Sequence, residues 1–143
     1  MKDKKLYISL RPSAHGLMKL LYRPMITIDE EIPHGEKIIL AGNHIHLLDA
    51  VLVSMATDRQ IYFLAKKDVF KGPMKAIFKG FGCIPVDRDG KDFATLKESI
   101  DILNQDGCIG IFPEGTRNKT DDIILPFKLG TVVLAKRSKS DII

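Results

Sequence analysis

Short runs of apolar residues recur along the chain and alternate with stretches in which the apolar residues have helical spacing. A continuous apolar run bounded by turn residues predicts a buried strand. Such runs occupy residues 37–41, 61–65, 83–86 and 108–112. A shorter run at residues 26–28 predicts one more strand, which a turn at Pro33-His34-Gly35 follows.

Helical spacing between these runs predicts helices at residues 48–56, 67–79, 93–103 and 127–136. A further helix, opened by Pro12, precedes the first strand. Its apolar face consists of Ala14, Leu17, Met18 and Leu21. Strands that alternate with helices favour an α/β fold, in which a mostly parallel sheet is covered by helices on both faces.

The chain has 143 residues, enough for one domain with its own core. We divide this domain, 1–143, into a basic amphipathic segment at 1–24 and a core at 25–143. The apolar residues 142–143 resemble the start of a buried strand, so we expect the chain to stop inside the fold, with the core incomplete at its C-terminal end. No stretch resembles a signal peptide, and no apolar run is long enough to span a membrane.

The formal net charge is +4, and the basic residues are concentrated in two segments, residues 1–25 and 66–88. Such patches indicate an anionic partner, which can be a phosphorylated substrate, a lipid headgroup or a nucleic acid. Solvated helix faces are the simpler interpretation for most individual lysines. Cys83 and Cys108 lie among apolar residues without the spacing of a metal site, so we interpret them as core residues in a reducing compartment.

Polar clusters follow the predicted strands directly. Asn43-His44 follows the first long strand, Lys66-Lys67 the second, Asp87-Arg88 the third and residues 113–117 the fourth. Because functional residues of parallel sheets collect beyond the carboxyl ends of the strands, we expect these clusters to form a single site.

His44 and Asp49 have the spacing of a loop histidine and a carboxylate in the first turn of the next helix. A carboxylate that folds back onto one ring nitrogen leaves the other free to accept a proton, as a general base requires. A helix-start Asp beside an unrelated loop His is the simpler alternative. His44, His46 and Asp49 can also be metal ligands, which leaves a metal-dependent phosphoesterase open.

The loop Glu114-Gly115-Thr116-Arg117 is hard to explain by packing alone, since it follows a buried strand directly. Gly115 lets the backbone approach a ligand, and Arg117 offers a planar fork for phosphate. A Glu–Arg salt bridge across the turn is the alternative. Arg88 is a second phosphate candidate, unless it pairs with a neighbouring aspartate. Ser9, Ser13 and Ser54 are interpreted as lacking a nearby base in sequence, and neither cysteine is expected to be exposed, which favours direct attack by a substrate hydroxyl.

Three of these clusters together resemble the motifs of the glycerolipid acyltransferases. Asn43-His44 with Asp49 is similar to the family motif Asn-His-x-x-x-x-Asp. Residues 82–88 are similar to Gly-x-Ile-Pro-Val-Asp-Arg, and residues 112–117 match Phe-Pro-Glu-Gly-Thr-Arg. Each motif is moderately specific alone, but three in order at these spacings are strong. The resemblance runs from about residue 38 to the end, where the family's fourth motif would begin.

By this resemblance His44 is the general base and Asp49 its orienting partner. The expected substrate-binding residues are Glu114, Gly115, Thr116, Arg117, Arg88 and Lys66. No metal or prosthetic group is implied, and the acyl donor is acyl-CoA or acyl carrier protein. Backbone amides near Gly115 or Lys66 are candidate donors to the oxyanion. His46 stands where many members have a small hydroxyl residue.

The resemblance implies transfer of a fatty acyl group from a thioester to the free hydroxyl of a lysophospholipid, most readily 1-acylglycerol-3-phosphate, which gives phosphatidic acid. We expect the partners to be this acceptor, the donor and an anionic membrane surface, and not a nucleic acid. The expected location is peripheral, on the cytoplasmic side of a membrane. A non-catalytic membrane-binding module on the same fold is a further alternative.

Overall fold

The computed structural model describes residues 4–87 and 92–143. The chain alternates between helices and short strands, as the apolar pattern predicts. The elements are α1 (Lys4–Tyr22), β1 (Ile38–Ala41), α2 (Asp49–Met55), β2 (Ile61–Lys66), a 3-10 helix (Lys67–Phe70), α3 (Lys75–Gly80), β3 (Ile84–Val86), α4 (Phe93–Leu103), β4 (Cys108–Ile111), α5 (Gly130–Ser138) and β5 (Asp141–Ile142).

The described strands form one sheet in the order β3-β2-β4-β1-β5, and every pair in it is parallel. Alternate strand residues face opposite sides, so the sheet has two apolar layers. One layer, around Ile39 and Ile109, packs against α4 and α5. The other, around Ile38 and Phe63, packs against α2. The predicted α/β fold with helices on both faces is confirmed.

The pairing of β1 with β4 decides where the functional loops lie. Ile38 is opposite Cys108 and Ala41 is opposite Ile111, so the two strands end at the same level. Gly42 N–H then donates to the carbonyl oxygen of Ile111 at 3.2 Å, which extends the ladder past the strands. The loops that follow β1 and β4 therefore leave the sheet side by side.

A buried arginine holds the opposite, amino-terminal edge of the sheet. Arg59 lies two residues before the start of β2 and is 9% exposed. Its guanidinium donates to the carbonyl oxygens of Pro33, Glu36 (2.7 Å) and Asp106 (2.8 Å), in the loops before β1 and β4. A buried charge is tolerated when its donors are satisfied, and here one side chain ties three neighbouring strands together. The sequence offered no pattern that predicted this contact.

Helix α1 differs from its prediction in where it begins and in which of its residues are buried. It includes Lys4, and Pro12 lies inside it. Packing offsets the local cost of the proline, because Tyr7 and Met18 are buried on the molecule. Arg11 adds hydrogen bonds to the carbonyl oxygens of Ser54, Thr57 and Asp58. None of the helices in the described part of the chain has the length and apolar character needed to cross a bilayer.

Three other predictions are wrong or shifted. Residues 26–28 are not a strand, and their side chains are exposed rather than packed against the sheet. Residues 141–142 do form a strand, but its residues are exposed rather than buried because β5 is an edge strand. The last helix begins at Gly130 instead of residue 127. The division of the domain at residue 24 stays a prediction.

Gly110 in β4 gives room to an aromatic ring of the neighbouring strand. A β-carbon there would collide with the ring of Phe63 and stand 2.9 Å from Cγ2 of Ile61. We expect Gly110→Ala to lower the free energy of unfolding by about 1–3 kcal/mol, the usual cost of overpacking. Gly16→Ala is the matched control, because nothing lies within 4 Å of its β-carbon position in α1. Equal denaturant midpoints for the two variants would contradict the expectation.

Candidate active site

His44 and Asp49 form the contact that their spacing predicts. His44 lies in the loop after β1, and Asp49 is the first residue of α2. The His44 Nδ1 and Asp49 Oδ2 atoms are 3.0 Å apart, and both side chains are largely buried, at 16% and 17% exposed. The same carboxylate oxygen accepts the backbone N–H groups of Ile45 and His46 at 2.8 Å each. The carboxylate therefore folds back over the loop and fixes it.

This contact sets the proton arrangement of the imidazole. A carboxylate only accepts, so Nδ1 of His44 carries the hydrogen and Nε2 keeps its lone pair. Among the described residues no group is hydrogen-bonded to Nε2. The Asp49 carboxylate also stabilises the imidazolium that forms when Nε2 takes a proton. The pair can act as a general base.

Two aromatic rings fix the orientation of the imidazole. The ring of Phe112 stacks on His44 with centroids 4.2 Å apart and planes 12° apart. Phe63 stacks on Phe112 in turn, at 5.9 Å and 14°. Phe63 is buried in the apolar layer that packs against α2. The imidazole of His44 is thereby connected to the core through a row of three rings, a feature that the sequence did not reveal.

The loop after β4 clamps the backbone of His44. The N–H of His44 donates to Glu114 Oε1 at 2.7 Å, and the His44 carbonyl oxygen accepts from the N–H of Asn118 at 2.6 Å. Glu114 is 2% exposed, and its other oxygen accepts from Leu125 N–H at 3.2 Å. Glu114 thus faces inward, and the contacts of its carboxylate are to backbone amides.

The remainder of this loop faces outward. Gly115 has a φ of +69°, and its N–H closes a turn onto the Phe112 carbonyl oxygen at 2.9 Å. That bond removes the Gly115 amide from the candidate oxyanion donors. Thr116 and Arg117 are exposed. No carboxylate of the described residues pairs with Arg117, so the alternative of a Glu114–Arg117 salt bridge is wrong.

Three lysines at and after the end of β2 form ion pairs with aspartates. Lys66 lies 2.7 Å from Asp68, and Lys71 lies 2.8 Å from the same side chain. Hydrogen bonds from Lys66 and then Lys71 lower the pKa of Asp68 to about 2. Lys67 pairs with Asp87 at 3.1 Å. Part of this basic segment is therefore neutralised within itself.

Of the predicted site residues, the structure brings His44, Asp49 and Glu114 into one hydrogen-bonded group. Gly115, Thr116 and Arg117 share the loop of Glu114. Lys66 ends a neighbouring strand. Arg88 lies outside the described residues. The roles of all these residues as base or substrate contact stay predictions.

Neither cysteine is prepared for nucleophilic attack. Burial raises the pKa of Cys83 to about 12 and that of Cys108 to about 11, which disfavours the thiolate.

His46, the other histidine of this loop, bonds to the backbone: its Nδ1 accepts from Leu48 N–H at 3.3 Å. Within the described residues, no group of three or more His, Cys, Asp or Glu side chains is arranged to hold a metal ion.

A sequence model of the family described as "Acyltransferase" matches residues 23–143. Curated relatives include the 1-acyl-sn-glycerol-3-phosphate acyltransferases of Bacillus subtilis (strain 168) and Helicobacter pylori (strain J99). The first is 29% identical over 80% of this chain and 57% of that protein. The second is 34% identical over 72% of this chain and 44% of that protein. The chain spans about half the length of the curated relatives that it matches.

The fold is also found in a solved structure. The crystal structure of the 1-acyl-sn-glycerophosphate (LPA) acyltransferase from Thermotoga maritima superposes with a TM-score of 0.77 at 23% identity. The match covers 99% of this chain and 59% of the other. At this level of identity the likeness establishes a shared fold.

The clamp on His44 can be tested through stability. We expect Glu114→Ala to lower the free energy of unfolding by about 2 kcal/mol or more, because each buried donor left unpaired costs about 1–3 kcal/mol. Glu98→Ala, on an exposed position of α4, is the control. Denaturant unfolding gives the free energies, and hydrogen exchange of the His44 amide should be faster only in Glu114→Ala. Equal free energies of unfolding for Glu114→Ala and Glu98→Ala would show that the hydrogen bonds of Glu114 do not stabilise the fold.

Proposed function

This chain belongs to the acyltransferase family, and we propose that it transfers a fatty acyl group from a thioester to the free hydroxyl of 1-acylglycerol-3-phosphate. The observation that carries the proposal is the geometry of His44. Its imidazole is oriented by Asp49 and Phe112, and Nε2 is left to meet a substrate. The curated relatives are named as acyltransferases for this acceptor, which supports the choice of substrate.

The reaction needs one proton acceptor and no protein nucleophile. Nε2 of His44 takes the proton of the acceptor hydroxyl while the hydroxyl oxygen attacks the carbonyl carbon of the thioester. The C–S bond then breaks, the ester remains on the acceptor, and the thiolate receives the proton from the imidazolium. Asp49 stabilises the imidazolium between these two steps. The high pKa values of both cysteines agree with direct attack.

The acceptor carries a phosphate, and the outward half of the loop after β4 suits it. Arg117 is exposed and presents a guanidinium fork for two phosphate oxygens. Lys66 and Arg88 are further anion contacts in this proposal. The donor is acyl-CoA or acyl carrier protein, since both present the same thioester to the base.

The acceptor and product partition into bilayers, so we place the reaction at a membrane surface, on its cytoplasmic side. Helix α1 supports a surface contact. Tyr7 and Met18 attach it to the molecule, whereas Leu17, Leu20 and Leu21 are more than half exposed. An exposed apolar helix face beside basic residues binds anionic membrane surfaces reversibly.

The general base is tested by substitution. We expect His44→Ala to reduce kcat roughly 10²–10⁴-fold, the usual contribution of a positioned base. Asp49→Asn should also be severe: its amide oxygen can still accept from Ile45 and His46, but the charge that holds the imidazole tautomer is lost. His34→Ala is the control, because His34 is exposed and pairs only with exposed Asp58. More than a tenth of the activity in His44→Ala would refute the mechanism.

The membrane contact is tested without removing α1, because Tyr7 and Met18 belong to the core. We expect the double variant Leu20→Gln/Leu21→Gln to bind anionic vesicles roughly tenfold more weakly, since two exposed leucines lose their apolar burial. Phe93→Gln, an exposed apolar position on α4, is the matched control. Sedimentation with phosphatidylglycerol vesicles measures binding, which should also fall with salt. Unchanged binding of the double variant would place the contact elsewhere.

A further inference from the structure

Lys128 lies over the loop after β4, although it is eleven residues further along than Arg117. Its Cδ, Cε and Nζ atoms stand 2.8, 2.9 and 3.0 Å from the point that a β-carbon of Gly115 would occupy. The absence of a side chain at Gly115 therefore makes room for the lysine. The ammonium group is held against the backbone of the Glu-Gly-Thr-Arg loop.

Two hydrogen bonds fix the segment that carries this lysine. The N–H of Lys128 donates to the Pro113 carbonyl oxygen at 2.8 Å. Three residues earlier, the N–H of Leu125 donates to Glu114 at 3.2 Å. Residues 125–128 are thus attached to the same loop that clamps His44, so the backbone from which the lysine side chain extends has a fixed position relative to His44.

Lys128 has no counterion in the part of the chain that the structure describes. No carboxylate of the described residues forms an ion pair with it, and the loop's own acid, Glu114, accepts backbone amides in the interior. Lys67 and Lys71, in contrast, pair with aspartates. Lys128 is also exposed, so its ammonium can reach a ligand.

We propose that Lys128 and Arg117 bind one phosphate group of a substrate together, with Lys128 on the Gly115 side of the loop. The proposal rests on the proposed function and adds a residue to its anion site. An ammonium binds phosphate as a point charge, while a guanidinium supplies a planar pair of donors, so the two can hold different oxygens of the same group. The phosphate can belong to the lysophospholipid or to coenzyme A.

The experiment compares Lys128→Gln with Lys97→Gln, which removes the same charge from an exposed position on α4. Glycerol 3-phosphate and coenzyme A are the soluble probes, and calorimetric titration measures the affinity for each. We expect roughly tenfold weaker binding of one of them in Lys128→Gln, in line with the loss of one charge-assisted hydrogen bond, and partial recovery in Lys128→Arg. Affinities for both probes equal to those of Lys97→Gln would overturn the proposal.

A double-variant cycle tests whether the two cations share one phosphate. If they do, Arg117→Gln/Lys128→Gln weakens binding less than the product of the two single effects, because each loss disturbs the same ligand. Strictly multiplicative effects would place Lys128 and Arg117 on separate groups and overturn the shared site. Thermal unfolding of each variant confirms that the fold is intact.

Steady-state kinetics identify the source of the phosphate and separate this inference from the proposed function. A raised KM for 1-acylglycerol-3-phosphate in Lys128→Gln assigns the group to the acceptor, and a raised KM for acyl-CoA assigns it to the donor. Either result supports the site, and unchanged KM values for both would refute it. A wild-type protein that binds glycerol 3-phosphate through Lys128 but transfers no acyl group would refute the function and leave the phosphate site standing.

Discussion

The parallel pairing of β1 with β4 is the constraint on which the site depends. Hydrogen bonds between the two loops continue this pairing past the strands. The N–H of Gly42 donates to the Ile111 carbonyl oxygen, and the N–H and carbonyl oxygen of His44 bond to Glu114 and Asn118. A residue whose N–H and carbonyl are both held has little freedom to reorient. The position of His44 is thereby set by the sheet, and Arg59 at the other edge binds the loops before the same strands.

Packing and chemistry are coupled through the stacked rings. Gly110 leaves room for Phe63, Phe63 supports Phe112, and Phe112 lies flat against the imidazole of His44. Interiors are closely packed, so we expect an added carbon atom at Gly110 to disturb Phe63 and, through Phe112, the imidazole of His44.

The distribution of charge separates cations that are bonded within the fold from cations that are exposed to solvent. Arg11 and Arg59 donate to backbone carbonyls, and Lys67 and Lys71 pair with aspartates. Arg117 and Lys128 are exposed, and Arg117 belongs to the loop that binds the backbone of His44. In the proposed function these two cations attract an anionic substrate and position its phosphate relative to His44.

The sequence by itself determined the features that depend on local spacing. Apolar runs located the four main strands, and the interval from His44 to Asp49 was short enough to predict their contact. The ordered motifs identified the family. Only the tertiary structure decided which strands are neighbours, and hence that Glu114 faces inward to clamp His44 and that Lys128 crosses Gly115. The tertiary structure also decided that residues 26–28, which have the composition of a strand, are not part of the sheet. Contacts between distant residues follow from strand order and packing, which the apolar pattern does not specify.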